Sequence, residues 1–335
     1  MTLFDALDRP LRDLRISVTD RCNFRCTYCM PKEVFGPDHQ FLQREELLSY
    51  EEIARLARLF VANGVEKIRL TGGEPLVRRN LDELIRMLAG IDGLRDLTLT
   101  TNGSLLRAQA QRLKDAGLQR ITVSLDSLDD DVFKSMNDVG VSSKVVLDGI
   151  AAAEEAGLNP IKINAVVKRG VNDHTLVDLA RHFKGTGHIV RFIEYMDVGA
   201  SNGWRLDHVV TAREIVDRID AEMPIEPASP NYVGEVAKRW RYRDGSGEIG
   251  IISSISQPFC GNCTRARLSP EGELFTCLFG VHGHDFRTRL RSGESDEEIG
   301  AFLASVWNVR KDRYSELRSE DTIGLQKVEM SHIGG

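Results

Sequence analysis

The chain has 335 residues, 41% hydrophobic and 28% charged, the balance of an ordinary soluble globular protein. Its net charge of −6, from 44 basic and 50 acidic side chains, disfavours a general nucleic-acid binder, which is normally basic. No apolar run reaches the roughly 18 residues of a membrane span, and "MTLFDALDRPLRDLR" at the start reads as neither signal nor transit peptide, so a cytoplasmic location is expected.

The first strand candidate, "RISVT" (15–19), leads into "DRCNFRCTYCMP", where Cys22, Cys26 and Cys29 form a C-x3-C-x2-C run. Five more strand candidates follow: "KIRLT" (67–71), "LTLTT" (97–101), "ITVSLD" (121–126), "IKINAVV" (161–167) and "IVRFIEYM" (189–196). Amphipathic helices such as "YEEIARLARLFVANG" (50–64) and "LLRAQAQRLKDAG" (105–117) lie between them and end at glycine. Repeated β-then-α units imply parallel strands with right-handed crossovers. The predicted fold is therefore α/β: a partial (β/α)6 barrel over 1–200, with an extension over 201–335 covering one barrel mouth.

The strands alternate in a way a filled barrel would not. Parallel strands covered on both faces normally read as continuous apolar runs. Here Arg15, Ser17 and Thr19 share one face against Ile16 and Val18, and Lys67, Arg69 and Thr71 oppose Ile68 and Leu70. Thr98 and Thr100, then Thr122, Ser124 and Asp126, then Lys162 and Asn164 repeat the pattern. With the apolar set facing the outer helices, the polar set lines the lumen. That lumen is basic, carrying Arg15, Arg69, Lys162 and Arg191, and suits an anionic ligand such as a phosphate ester. Carboxylate partners at the barrel ends are the alternative explanation.

After residue 199 come a helix near 211–221, hairpin-like segments "WRYRDGSGEIGIIS" and "RARLSPEGELFTCL", a last helix from "DEEIGAFLASVWNVRKDRY", and an end reading "SHIGG". Cys260, Cys263 and Cys277 form the second triplet, and no cysteine lies between Cys29 and Cys260. Disulfides are unexpected in a reducing compartment. Thiolates are soft ligands for iron–sulfur clusters, zinc or copper(I). Three cysteines on a four-iron cubane leave one iron open to an outside ligand. The competing readings are zinc sites completed by His39 for the first triplet and by His282 or His284 for the second.

The first triplet with Tyr28 before its last cysteine, together with "TGGEP" (71–75), resembles the radical S-adenosylmethionine superfamily. Adding "CGNCTRARLSPEGELFTCLF" and the terminal Gly334–Gly335, nearly the whole chain resembles the GTP 3′,8-cyclase family of molybdenum cofactor biosynthesis. The resemblance implies a [4Fe-4S] cluster on Cys22, Cys26 and Cys29 whose open iron binds S-adenosylmethionine. Tyr28, Gly72, Gly73, Glu74, Ser124 and Met196 would contact that molecule. A second [4Fe-4S] cluster on Cys260, Cys263 and Cys277 would touch the guanine of GTP, with Arg15, Arg69, Thr100, Lys162 and the segment Arg265, Ala266 and Arg267 binding the nucleotide. The basic pair Arg265 and Arg267 and the Gly334–Gly335 tail would take part in catalysis.

The implied reaction begins with removal of the ribose 3′ hydrogen by a deoxyadenosyl radical. The C3′ radical then adds to guanine C8, and the resulting aminyl radical is reduced and protonated. Implied partners are a flavodoxin or ferredoxin as reductant, a downstream cyclic pyranopterin monophosphate synthase, and a second copy of the chain in a homodimer. No nucleic acid or membrane partner is expected. Two rivals also bind iron–sulfur clusters: a radical S-adenosylmethionine peptide maturase with an auxiliary cluster, which usually carries a richer set of C-terminal cysteines and lacks the Gly-Gly end, and a non-catalytic iron–sulfur sensor or electron carrier.

Overall fold

The computed structural model describes residues 2–318 and 327–334. All six expected strands are present: β1 Asp13–Ser17, β2 Lys67–Thr71, β3 Asp96–Thr101, β4 Arg120–Ser124, β5 Lys162–Val167 and β6 Ile189–Glu194. β1 begins two residues before the sequence pattern suggests, because the Asp13 and Leu14 backbones already pair with β2. The strands alternate with helices α1 Tyr50–Ala62, α2 Leu81–Ala89, α3 Ala110–Asp115, α4 Asp130–Asn137, α5 Ser143–Glu155 and α6 Leu176–Phe183. A capping box starts α1: Ser49 accepts from the Glu52 backbone while Glu52 accepts from that of Ser49. α3 is shorter than its amphipathic pattern. The turns at 103–109 are pressed against α5, where a Cβ on Gly149 would lie 2.6 Å from the Gly103 carbonyl oxygen.

The segment after residue 200 does more than cover a mouth. It contributes α7 Ala212–Glu222 and the strands β7 Ile225–Ala228, β8 Lys238–Tyr242, β9 Glu248–Ile252, β10 Arg265–Leu268, β11 Glu273–Phe275 and β12 His284–Asp285. Helices α8 Arg287–Arg291, α9 Asp296–Asn308 and α10 Tyr314–Leu317 follow. Sheet order among the described residues is β12-β11-β10-β1-β2-β3-β4-β5-β6-β9-β8-β7. Parallel pairing thus runs from β10 through β1–β6 to β9, and the linear order leaves the barrel open. Across the gap, the connection between β7 and β8 meets the far edge. A Cβ on Gly234, whose φ is +88°, would lie 2.8 Å from the Asn262 carbonyl oxygen beside β10.

The period-two reading of the strands holds. Ile16, Ile68, Leu70, Leu97, Leu99, Ile121, Val123, Ile163 and Phe192 are buried in the core on the helix side. Each such side chain contributes about 1.5–3 kcal/mol relative to exposure. Arg15, Arg69, Thr100, Ser124, Asp126, Lys162, Asn164 and Arg191 line the opposite, inner face.

Candidate active site

The loop carrying the first triplet leaves the C-terminal end of β1. Three sets of hydrogen bonds shape it. The Cys29 and Met30 backbone N–H groups donate to the Cys26 carbonyl, each at 2.9 Å. Arg25 donates to the carbonyls of Phe35 (2.7 Å), Cys22 (2.8 Å) and Phe24 (2.7 Å). The Arg25 and Thr27 backbones also donate to Asn137 and Met136 at the end of α4.

Gly72 and Gly73 pack against this loop. A Cβ on Gly72 (φ +145°) would sit 2.5 Å from the Thr19 carbonyl oxygen, and one on Gly73 would sit 2.4 Å from that of Arg21. Both glycines line the cavity, but their missing side chains are needed first for this backbone-to-backbone approach. Glu74 is spoken for as well: its carboxylate accepts from the Leu76 N–H (3.0 Å), Thr101 Oγ1 (2.7 Å) and the Asn102 N–H (2.7 Å). Burial pushes this carboxyl up to about 7. Glu74 therefore ties the glycine turn to the end of β3.

The second triplet sits at the other end of the strands. Cys260 and Cys263 precede β10, which runs parallel to β1 with Arg265 beside Asp13. Cys277 follows β11, which is antiparallel to β10 and returns the chain to the same end. A five-residue strand spans about 17 Å, so the triplets face each other across roughly that distance. All six cysteines line one cavity. It encloses about 2100 Å³ when the open solvent at its mouth is included.

The six cysteines are free thiols. Burial, then the Glu74 carboxylate, pushes Cys22 up to about 12, and burial also raises Cys26 and Cys29. Burial likewise lifts Cys277 to about 12. Burial also opposes ionisation of Cys263, but the Arg265 and Arg310 guanidiniums bring it down to about 7. Buried thiols drawn together need a strong local cation to ionise, which metal coordination supplies. No group of His, Cys, Asp and Glu among the described residues is placed to hold a single metal ion. His39 lies between the rings of Phe35 and Phe41, and His282 and His284 are exposed. Three soft thiol ligands in a triplet suit an iron–sulfur cluster with one iron left open.

Between the triplets, the wall is cationic. Arg69 donates to Thr100 Oγ1 (2.8 Å) and Thr122 Oγ1 (3.1 Å), and Arg191 to Asn164 Oδ1 (2.9 Å). The Nε atoms of Arg15 and Arg69 are buried without a partner. Lys67 pairs with Asp96 at 3.3 Å, as the end-carboxylate alternative would have it, whereas Arg15, Arg69, Lys162 and Arg191 form no ion pair among the described residues. Burial, then the neighbouring Arg191, pushes Lys162 down to about 7. Burial followed by Arg69 lowers Arg191 to about 9, and burial followed by Arg265 lowers Arg267 to about 10. A bound polyanion would relieve this crowding.

The other sequence-derived residues fall into place unevenly. Tyr28, Ser124 and Met196 line the cavity beside the first triplet, with Tyr28 Oη donating to Asp126 Oδ2 at 2.8 Å. Arg265 and Arg267 line the second end, but Ala266 turns its methyl into the hydrophobic core and could reach a ligand only through its backbone. Gly334, with φ +75°, lies against Thr71, where a Cβ would meet Cγ2 at 2.1 Å. Its carbonyl accepts from Arg267 Nη1. Gly335 lies outside the described residues. The stretch 200–250 supplies Tyr232, Glu235 and Arg239 to the wall, with Lys67 Nζ 5.8 Å over the Tyr232 ring. No local motif marks them; only the fold brings them there.

Residues 16–183 match the family described as "Radical SAM superfamily", and residues 188–316 match "Molybdenum Cofactor Synthesis C". A GTP 3′,8-cyclase of Acidothermus cellulolyticus is 54% identical, with 99% of this chain and 98% of the relative covered. Those of Staphylococcus haemolyticus (48% identical; 99% and 98% covered) and Xanthomonas campestris pv. campestris (52%; 99% and 97%) are similar over the same extent. The chain belongs to the GTP 3′,8-cyclase family. Among solved structures, Streptococcus suis SuiB bound to S-adenosylmethionine aligns with a TM-score of 0.64 at 14% identity, covering 95% of this chain and 73% of that one. That likeness shows the radical S-adenosylmethionine fold alone. As a family member the chain is an iron–sulfur enzyme that uses S-adenosylmethionine.

Proposed function

We infer that the chain converts GTP to (8S)-3′,8-cyclo-7,8-dihydroguanosine 5′-triphosphate, the first step of molybdenum cofactor biosynthesis. The observation that carries this reading is the set of crowded cations, Arg15, Arg69, Lys162 and Arg191, which form no ion pair among the described residues and line one cavity between two cysteine triplets. A triphosphate satisfies them, and bidentate guanidinium geometry favours it.

Cys22, Cys26 and Cys29 would hold one [4Fe-4S] cluster and Cys260, Cys263 and Cys277 a second. When bound and reduced, the first cluster with S-adenosylmethionine would supply a 5′-deoxyadenosyl radical. The remaining work falls to the chain. Tyr28, Gly73, Ser124 and Met196 orient S-adenosylmethionine at one end. Arg15, Arg69, Thr100, Lys162, Arg265 and Arg267 fix the nucleotide so that its 3′ hydrogen faces the radical source, and the walls exclude water. Gly334, bonded to Arg267, would bring the tail to the reacting centre, with Gly335 beyond it.

No helix among the described residues is long and apolar enough to cross a membrane. The enzyme would work in the cytoplasm. A flavodoxin or ferredoxin would supply electrons, a cyclic pyranopterin monophosphate synthase would take the product, and the chain would work as a homodimer. The barrel over 1–200 and the extension over 201–335 would divide the two clusters between them. The deciding experiment is 5′-deoxyadenosine formation by anaerobically reconstituted protein with dithionite, comparing GTP, ATP and no nucleotide. A burst with GTP alone is expected. Stimulation by peptide instead would favour a maturase, and no deoxyadenosine under any reductant would leave a sensor.

A further inference from the structure

Arg310 does not line the cavity, yet it reaches the second triplet from outside. Its side chain is 1% exposed. Nη2 donates to the Cys263 sulfur at 3.2 Å and Nη1 to the Cys263 carbonyl at 2.8 Å. Nε donates to the carbonyl of Thr276, the residue before Cys277, at 3.0 Å. One guanidinium therefore grips two of the three ligand segments. The third is held by Arg9, whose Nη1 donates to the Cys260 carbonyl at 2.8 Å.

The two arginines share one buried carboxylate. Asp5 Oδ2 accepts from Arg9 Nε at 2.6 Å and from Arg310 Nη1 at 3.0 Å. Asp312, one-third exposed, lies 3.2 Å from Arg310 Nε. The fork is further fixed by the Trp307 ring, 4.6 Å below it, whose Nε1 donates to the Arg9 carbonyl at 3.3 Å. Holding a loop requires only backbone acceptors. Arg310 instead directs one N–H to a ligand sulfur, and a hydrogen bond and positive charge at a cluster sulfur stabilise the reduced, more negative state.

We propose that Arg310, fixed by Asp5 and Arg9, is a positioning residue for the C-terminal cluster that braces its ligand segments and raises its reduction potential by donation to the Cys263 sulfur. This rests on the two-cluster reading. The side chain acts through the cluster and touches neither substrate nor S-adenosylmethionine.

The test uses the full chain, reconstituted anaerobically, as wild type, Arg310→Lys and Arg310→Met. Iron per chain is measured first. The midpoint potential of the C-terminal cluster is then read by electron paramagnetic resonance in a Cys22→Ser, Cys26→Ser, Cys29→Ser background. Potentials falling from wild type through Lys, which keeps the charge but not the fork, to Met are the expected result. Loss of one cluster's iron with the first cluster and the melting temperature retained would support the brace equally. Unchanged loading with unchanged potential would overturn the proposal, as would loss of both clusters together with a collapse in melting temperature. Wild type that loads a single cluster would instead defeat the two-cluster reading, whatever Arg310 does.

Discussion

Nucleotide affinity should weaken steeply above neutral pH because of Lys162. In the free site, burial and then Arg191 hold its ammonium down to about 7, against an ordinary 10.5. A triphosphate placed among these cations reverses the local field and favours the charged form, so binding takes up a proton wherever the free lysine is neutral. The protonated form binds better, so affinity is highest below about pH 7 and falls as pH rises above it, until the bound-state value is passed. At about 1.36 kcal/mol per pH unit, restoring the ordinary value is worth up to roughly 4–5 kcal/mol. Between pH 7 and pH 9 the Kd for GTP should therefore rise by up to about 50-fold. Without reductant the nucleotide is not consumed, and calorimetry in buffers of different ionisation enthalpy reads affinity and proton uptake together. Lys162→Arg should flatten the profile with tight binding kept, and Lys162→Met should flatten it with binding weak throughout. A wild-type Kd constant to within about threefold, with no net proton uptake, would refute the reasoning.

Gly73→Ala would put a methyl 2.4 Å from the Arg21 carbonyl oxygen. Overpacking against backbone costs about 1–3 kcal/mol, and anaerobic melting plus iron analysis should show a lower Tm with iron lost from the first cluster. Cys22→Ala should abolish deoxyadenosine formation, whereas Cys277→Ala should impair GTP conversion and leave uncoupled cleavage; normal product from Cys277→Ala, followed by chromatography, would remove the second cluster from substrate binding. Asp197 is buried and accepts from Lys327 Nζ (2.9 Å), Tyr314 Oη (2.6 Å) and Arg318 Nε (3.2 Å). Asp197→Asn takes the carboxylate from the buried Lys327 and the half-buried Arg318 and should cost about 3–5 kcal/mol in denaturant unfolding; a change below about 0.5 kcal/mol would mean that the network is not holding the C-terminal segment.

Much of the active site was legible in one dimension because its chemistry is periodic or clustered. The alternation of Arg15, Ser17, Lys67, Arg69, Lys162 and Asn164 with Ile16, Ile68 and Ile163 assigns faces directly, since side chains on a strand point to opposite sides in turn. Cysteine spacing and the TGGEP turn are likewise local. The purpose of Gly72 and Gly73 was not legible: they serve a close approach to Thr19 and Arg21, some fifty residues earlier in the chain.

What the sequence by itself determined is the partial barrel, the face that lines it, and the six thiols, because each depends on residues close together in the chain. Tertiary structure alone decided that β9 and β10 extend both sheet edges in parallel, that the triplets stand at opposite ends of the strands, and that Ala266 faces the core. It also decided that Tyr232 joins the cavity wall, and that Asp5, Arg9 and Arg310 meet behind Cys263 across some three hundred residues. Such contacts leave no periodic mark, because pairing between distant segments is fixed by which buried groups find partners once the chain has closed on itself.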